Sequence, residues 1–295
     1  MTLVDAPVLP ALPGLAWRAS GQCVLSGPLL AVARRLDLAL LGLGERWRCE
    51  DFNFPPFLPA AELDRVDYFA SFPHLATFPV TLAPDTQTLR SFAANSPLGP
   101  DSTVTLPSLG PVRDVLTPAA CYHFYVHLRG ESLTGPRYLT TCATCFRNED
   151  AYRPLQRQSA FSMRELVCVG AADEVARFVA SVSGMADLLI AALDLPVTWQ
   201  PATDPFFQPA RSGRHLMQRL DPVKSEAVAD GVAIASANHH HDHFGAAFAI
   251  TRDGRPAHSG CVAFGVERWL LALSRRYGPD LARWPEIPLL GATDG

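Results

Sequence analysis

Four residues in the stretch 140–169 could carry the chemistry of this chain: Arg147, Glu149, Phe161 and Glu165. The stretch reads as two strands around a charged loop. Alternation puts Cys145, Arg147 and Glu149 on one face of the first strand, and Phe161, Met163 and Glu165 on one face of the second. The loop holds Asp150, Arg153, Arg157 and Gln158, with Pro154 to stiffen it. An arginine, two glutamates and an aromatic ring on one sheet face are costly to bury without a ligand. At ~3.3 Å per residue, Phe161 and Glu165 stand ~13 Å apart, about the length of a nucleotide with a small acyl group on its phosphate. An amphipathic hairpin with surface charges is the rival reading.

The thiols offer a second chemistry. Seven cysteines are scattered along the chain, and in a reducing compartment they would be free to bind metal. Cys142 and Cys145 form a CxxC, but within a strand that spacing sends the two sulfurs to opposite faces, so a shared metal is not expected. His239, His241 and His243 would share a strand face in the run HHHDH, which invites a metal reading, but an independent metal site there is not expected. Arg211, Arg214 and Arg219 lie on a short basic helix over 209–220.

These groups need elements to hold them. Leu29, Val32, Leu36 and Leu40 mark an amphipathic helix that ends at Gly42 and Gly44. Residues 47–57 read as a strand stopped by Pro55-Pro56, and the aromatic-rich stretch 63–78 as core and loop packing. Residues 79–111 are rich in Pro, Ser, Thr and Gly and read as loop with short strands. From Cys121 the sequence alternates, which predicts a strand with Cys121 on its polar face. Residues 172–193 form a helix whose stripe Val175, Phe178, Val179, Val182, Ala186, Leu189 and Leu193 faces the core. A short strand follows at 195–199, and 223–250 alternates weakly. Finally a strand turns at Gly265 into a helix with Trp269, Leu270 and Leu273 inward and Gly278 at its end.

Bulk properties bound the function. The chain has 295 residues, 48% of them hydrophobic, and a net charge of −4. That is enough for a substantial core and gives no strongly basic face for nucleic acid. Residues 1–20 read as a Pro-rich flexible leader with no signal-peptide pattern, and no apolar run is expected to span a membrane; a cytoplasmic protein with no membrane partner is implied. There is no G-x-S-x-G elbow, no P-loop and no H-E-x-x-H.

Together, 140–169 and Gly265-x-Glu267-Arg268 resemble motifs 2 and 3 of the class II aminoacyl-tRNA synthetases, with a weaker motif 1 at about 29–57. The resemblance implies an α+β fold, a class II catalytic domain with an antiparallel sheet flanked by helices, occupying 21–295 as one domain, with motif 2 at 140–169 and motif 3 at 258–278. It also implies a homodimer through motif 1. Arg147 would hold the α-phosphate of ATP, Glu149 the adenine amino group and Phe161 the base. Arg268, at a helix N-terminus that already favours phosphate, would meet the γ-phosphate, and Arg157, Gln158 and Glu226 complete the ATP contacts.

More narrowly, Cys121, Glu165 and Cys261 resemble the Cys/Glu/Cys zinc set of two related groups: the atypical seryl-tRNA synthetases of methanogens, and the amino acid:[carrier protein] ligases. Three such ligands leave a fourth Zn²⁺ position open for a substrate amine. Ser236 and Asn238 stand where seryl enzymes carry S-x-N and, with Glu165, would bind the amino acid. The acidic Mg²⁺ ligand of those enzymes is missing near Val232, and Glu226 is its candidate replacement. A seryl enzyme needs a further tRNA-binding domain, so the ligase is favoured: Mg·ATP activates a small amino acid such as glycine or alanine, and the phosphopantetheine thiol of a carrier protein takes it. The basic helix with Arg211, Arg214 and Arg219 would dock that carrier, and tRNA is not expected to bind. A tRNA-charging enzyme and a non-catalytic sensor are the alternatives.

Overall fold

A computed structural model describes residues 11–95, 98–99, 102–208 and 223–290. Its main sheet has nine strands, labelled here β1 (Leu15–Arg18), β2 (Gln22–Leu25), β3 (Glu50–Phe52), β4 (Arg137–Phe146), β5 (Ala160–Gly170), β6 (Val197–Pro201), β7 (Lys224–Ala229), β8 (Val232–His241) and β9 (His258–Gly265). Five helices matter for the site: α1 (Gly27–Gly42), α2 (Tyr122–His127), α3 (Ala172–Ala192), α4 (His243–Phe248) and α5 (Val266–Tyr277). The body of the sheet runs β3-β4-β5-β9-β8-β7-β6. Every neighbour in it is antiparallel except β3 on β4.

Direct partners in antiparallel strands share a face. Thr141, Glu165, Ala263, Ser236 and Glu226 therefore form one row across the sheet. Val167, Cys261, Asn238 and Lys224 form the next. Part of this face is covered by a smaller core, and the rest becomes the floor of a cleft.

The opposite face carries the larger core. There Leu166, Cys168, Val262 and Phe264 meet buried residues of α1, α3 and α5. The stripe of α3 is buried as its 3.6-residue period requires. Gly260 lets α3 approach closely, because a Cβ there would stand 2.7 Å from Val175 and 2.8 Å from the Asn238 carbonyl. By length and composition α3 could cross a membrane, against the expectation from the sequence; here its apolar stripe packs on the sheet. Arg164, buried on this same face, grips Asp37 of α1 with Nε and Nη2, both at 2.8 Å, and Asp51 of β3 at 3.0 Å.

Three expectations are corrected. The segment 1–20 is not all leader: Leu12 is buried, and β1 pairs with β2. The turn between them places Gly21 at φ +87°, under the Tyr152 ring, and its carbonyl accepts from Ser159 N at 2.7 Å. The hairpin thus props the loop between β4 and β5. The strand expected at 47–57 shrinks to β3, because residues 45–47 form a 3-10 turn whose Trp47 packs on Tyr138 and Phe178. The weak alternation at 223–250 is two strands, β7 and β8, folded back at Asp230-Gly231. Both turn residues have positive φ, a geometry that Asp-Gly favours.

Candidate active site

One end of the cleft forms where β4 and β5 meet α5. Arg147, Glu149, Phe161 and Arg268 line one cavity, together with Arg157, Gln158 and Glu226. The guanidinium of Arg147 lies 5.2 Å over the Phe161 ring, a cation–π contact that sets both groups, and its Nε donates to the Pro118 carbonyl at 3.1 Å. Arg268 is fixed by two bonds, from Nε to Gln156 O and from Nη1 to Ala233 O, both 3.0 Å. Burial and the nearby Arg147 pull its pKa below the ordinary arginine range, and Glu226 and Glu149 offset only part of this. Glu267 lines the same cavity, with its carboxylate turned to the backbone of β5. Both of its oxygens accept from Ser162 N at 3.0 Å, which pins the start of α5 to β5 and so aims the next residue, Arg268, into the cavity. Arg157 lies 3.5 Å from the Glu149 carboxylate. Among the described residues the buried amide oxygen of Gln158 has no partner, which leaves it able to accept from a ligand.

At the other end, the structure brings Cys121, Glu165 and Cys261 together, with ligand atoms within 4.8 Å of one another and all three residues buried. Glu165 and Cys261 meet because β9 pairs with β5 in a register that sets Ala263 opposite Glu165. Cys121 arrives differently from the expectation. It caps α2 and is not on a strand. The helical spacing of buried Cys121, Phe124, Tyr125 and Leu128 explains why, since those residues form one face of a helix. The turn into α2 directs the backbone N–H of Ala120 (2.8 Å) and Cys121 (3.3 Å) onto Glu165 Oε1. One carboxylate oxygen is thus held by the backbone, and the carboxylate also shares hydrogen bonds with the Cys121 and Cys261 thiols. The hydrogen bond shared with Cys261, and then burial, push the Cys121 thiol well up; burial also raises Glu165. Two thiols and a carboxylate held together and buried at the end of a cleft fit a Zn²⁺ ion.

Ser236 and Asn238 stand beside this cluster. Asn238 Nδ2 donates to Ser236 Oγ at 3.1 Å and lies 3.4 Å from Cys261 Sγ. The aromatic stretch 63–78 does more than pack, for Tyr68, Phe72 and Leu75 wall this end of the cleft.

The histidine run is corrected. Its strand ends at His241, and His243 already belongs to α4, so the three odd-numbered rings do not share a strand face. The ring that reaches the cleft is His240. Its Nδ1 lies 3.1 Å from both the Tyr125 and the Ser259 hydroxyl, and its Nε2 lies 3.8 Å from Cys261 Sγ. Burial holds it neutral, with a pKa pulled down to about 3. The signal was in the alternation: Ser236 and Asn238 in the pocket place His240 there too. Lys224 was missed as well. The basic segment with Arg211, Arg214 and Arg219 lies outside the described residues.

The two ends are one cleft, since Arg147, Met163, Lys224, Ser236 and Ala263 line both cavities. Sheet, motif order and cleft together define the catalytic domain of the class II aminoacyl-tRNA synthetases. Solved structures share the fold. A seryl-tRNA synthetase of M. kandleri, in complex with A. aeolicus tRNASec, matches with a TM-score of 0.79 and 22% identity over 97% of this chain and 63% of that one. A prolyl-tRNA synthetase of Giardia lamblia matches at 0.66 and 13%, over 94% of this chain and 52% of that one. This chain spans less than two thirds of either. No family model matches. In sequence it is 34% identical over 245 residues to amino acid–[acyl-carrier-protein] ligase 1 of Bradyrhizobium diazoefficiens, covering 80% of this chain and 74% of that protein. Ligase 2 of the same organism is 35% identical over 247 residues, covering 80% and 72%. A type-2 serine–tRNA ligase of Methanococcus maripaludis is 28% identical over 190 residues, covering 59% and 37%. The chain belongs to the amino acid–[acyl-carrier-protein] ligases.

Proposed function

We propose that this ligase activates a small amino acid, of the glycine or alanine class, at the Cys121/Glu165/Cys261 end of the cleft and passes it to the phosphopantetheine thiol of a carrier protein. The observation that supports this reading most is the continuity of the cleft from the Arg147–Arg268 cavity to the buried sulfur–carboxylate–sulfur cluster. Mg·ATP would occupy the first end, with its base on Phe161, its amino group at Glu149 and its phosphates under Arg147 and Arg268. Cys121, Glu165 and Cys261 would hold Zn²⁺, which supplies a Lewis-acid position for the neutral α-amine. Ser236 and Asn238 orient the amino acid so that its carboxylate faces the α-phosphorus. Arg147 and Arg268 stabilise the charge that develops as the carboxylate oxygen attacks and pyrophosphate leaves. The walls of the amino-acid end, with Tyr68, Phe72 and Phe244 crowding the cluster, favour a short side chain.

The same reading has one catalytic domain, a homodimer, a cytoplasmic location and no tRNA partner. The carrier would dock on the segment with Arg211, Arg214 and Arg219. Reversing those three charges should slow thioester formation several-fold and leave adenylate formation unchanged; unaltered transfer would remove the docking role.

Zinc is tested by metal analysis of Cys121→Ser and Cys261→Ser. Each should bind zinc at least tenfold more weakly than the parent. Because zinc displaces protons from groups whose pKa values are raised, loading of the parent protein should fall as the pH is lowered and release protons when metal is added. Equal zinc content in parent and both variants would discard the ligand set.

A further inference from the structure

Lys224 is the only lysine in the chain. Its position makes it more than a surface charge. It lies on β7 opposite Asn238, on the face that floors the cleft. Its side chain is only 15% exposed, and Nζ sits 2.9 Å from Asp204 Oδ1 and 3.2 Å from Glu226 Oε1. Asp204 lines the amino-acid end and Glu226 the nucleotide end. Among the described residues common to both cavities, Arg147 and Lys224 alone are charged. Burial works against the ammonium, but the two carboxylates outweigh it and hold its pKa above the ordinary lysine value. A cation is therefore held permanently at the join between the two cavities.

We propose that Lys224 is a catalytic residue of the activation step, its ammonium contacting the amino-acid carboxylate and the α-phosphoryl group where they are joined. This rests on the assignment of the two ends of the cleft made above. In that step the carboxylate oxygen forms a bond to the α-phosphorus, the α–β bridging bond breaks, and pyrophosphate leaves with the electron pair. Negative charge builds at the point Lys224 faces. Arg147 lines both cavities as well, so the two cations would act together on the reacting atoms, while Arg268 would serve the phosphates farther along. An ammonium is a compact point charge and suits a site that must grip two different anions in turn. Asp204 and Glu226 position the ammonium and are not the reacting partners.

The test is amino-acid-dependent ATP–pyrophosphate exchange, with thermal melting measured in parallel. Lys224→Met should lower the exchange kcat by about 10²-fold or more, as loss of a transition-state donor does. The competing account is that Lys224 only neutralises its two carboxylates. Lys224→Met with Asp204→Asn keeps the net charge of the cluster and separates the two. Under the proposal exchange stays low; recovery to within about threefold of the parent would overturn it. So would a single Lys224→Met that exchanges like the parent. A second measurement works on the unaltered protein. Lysine labelled with ¹⁵N at Nζ gives one signal, which should shift on addition of a non-hydrolysable aminoacyl-adenylate analogue. A signal that stays put while the analogue binds would also overturn the assignment. No exchange by the parent with any amino acid would defeat the functional reading itself, and with it this inference.

Discussion

Replacing Arg268 with alanine should reduce amino-acid-dependent pyrophosphate exchange by about 10²–10³, equivalent to ~2.7–4 kcal/mol of transition-state stabilisation. The size follows from how the group is held. Two of its donors are spent on the Gln156 and Ala233 carbonyls, which fix the plane of the guanidinium before any substrate arrives. The remaining donors need no reorganisation when charge develops on the phosphates. The fall should appear in kcat more than in KM, because a preorganised donor acts most strongly where the charge is greatest. Arg268→Lys keeps the charge but not the fork, and should recover only part of the loss. If Arg268 were merely structural, the melting temperature would fall in step with activity.

A second large effect concerns stability. Arg164 lies on the face of β5 opposite the site, and its guanidinium joins β5 to α1 and β3 through Asp37 and Asp51. Arg164 is almost wholly buried, whereas Asp37 and Asp51 keep 26% and 52% of their side-chain surface exposed. Removing the arginine therefore leaves its carboxylates partly solvated, and the cost belongs at the low end of the range for a broken buried pair, about 3 kcal/mol for Arg164→Ala. Urea unfolding would show this as a lowered midpoint at nearly constant slope. A change below about 0.5 kcal/mol would mean that the hydrophobic packing of α1 on the sheet holds that layer alone. The residue matters to function only indirectly: Glu165 is its neighbour on β5, and a strand that loses its grip on α1 loses the register that carries Glu165 to Cys261.

Much of the site was legible because alternation is a strict code. Phe161, Met163 and Glu165 share a face in the sequence pattern and share the cleft in the structure. The same rule read from Ser236 and Asn238 yields His240, although the crowd of five polar residues at 239–243 drew the eye to the odd positions. Cys121 was legible as a site residue but not as a helix cap, since a six-residue helix is too short to show its period against an alternating background. Its buried partners Phe124, Tyr125 and Leu128 carry the correct spacing. Lys224 left no motif at all. Glu226 shares its strand and its face two residues along, but Asp204 comes from the loop after β6, and no local pattern encodes that meeting. The β1–β2 hairpin was hidden by the prolines that precede it, while its anchor, Gly21 beneath Tyr152, joins residues far apart in sequence.

The central claim is that a metal-held amino acid meets ATP across one cleft, and its most direct test is exchange measured before and after removal of metal. Protein loaded with zinc should catalyse ATP–pyrophosphate exchange with glycine or alanine; protein stripped by a chelator should not, and one equivalent of zinc per chain should restore it. Exchange that runs equally fast in the stripped protein would contradict the account.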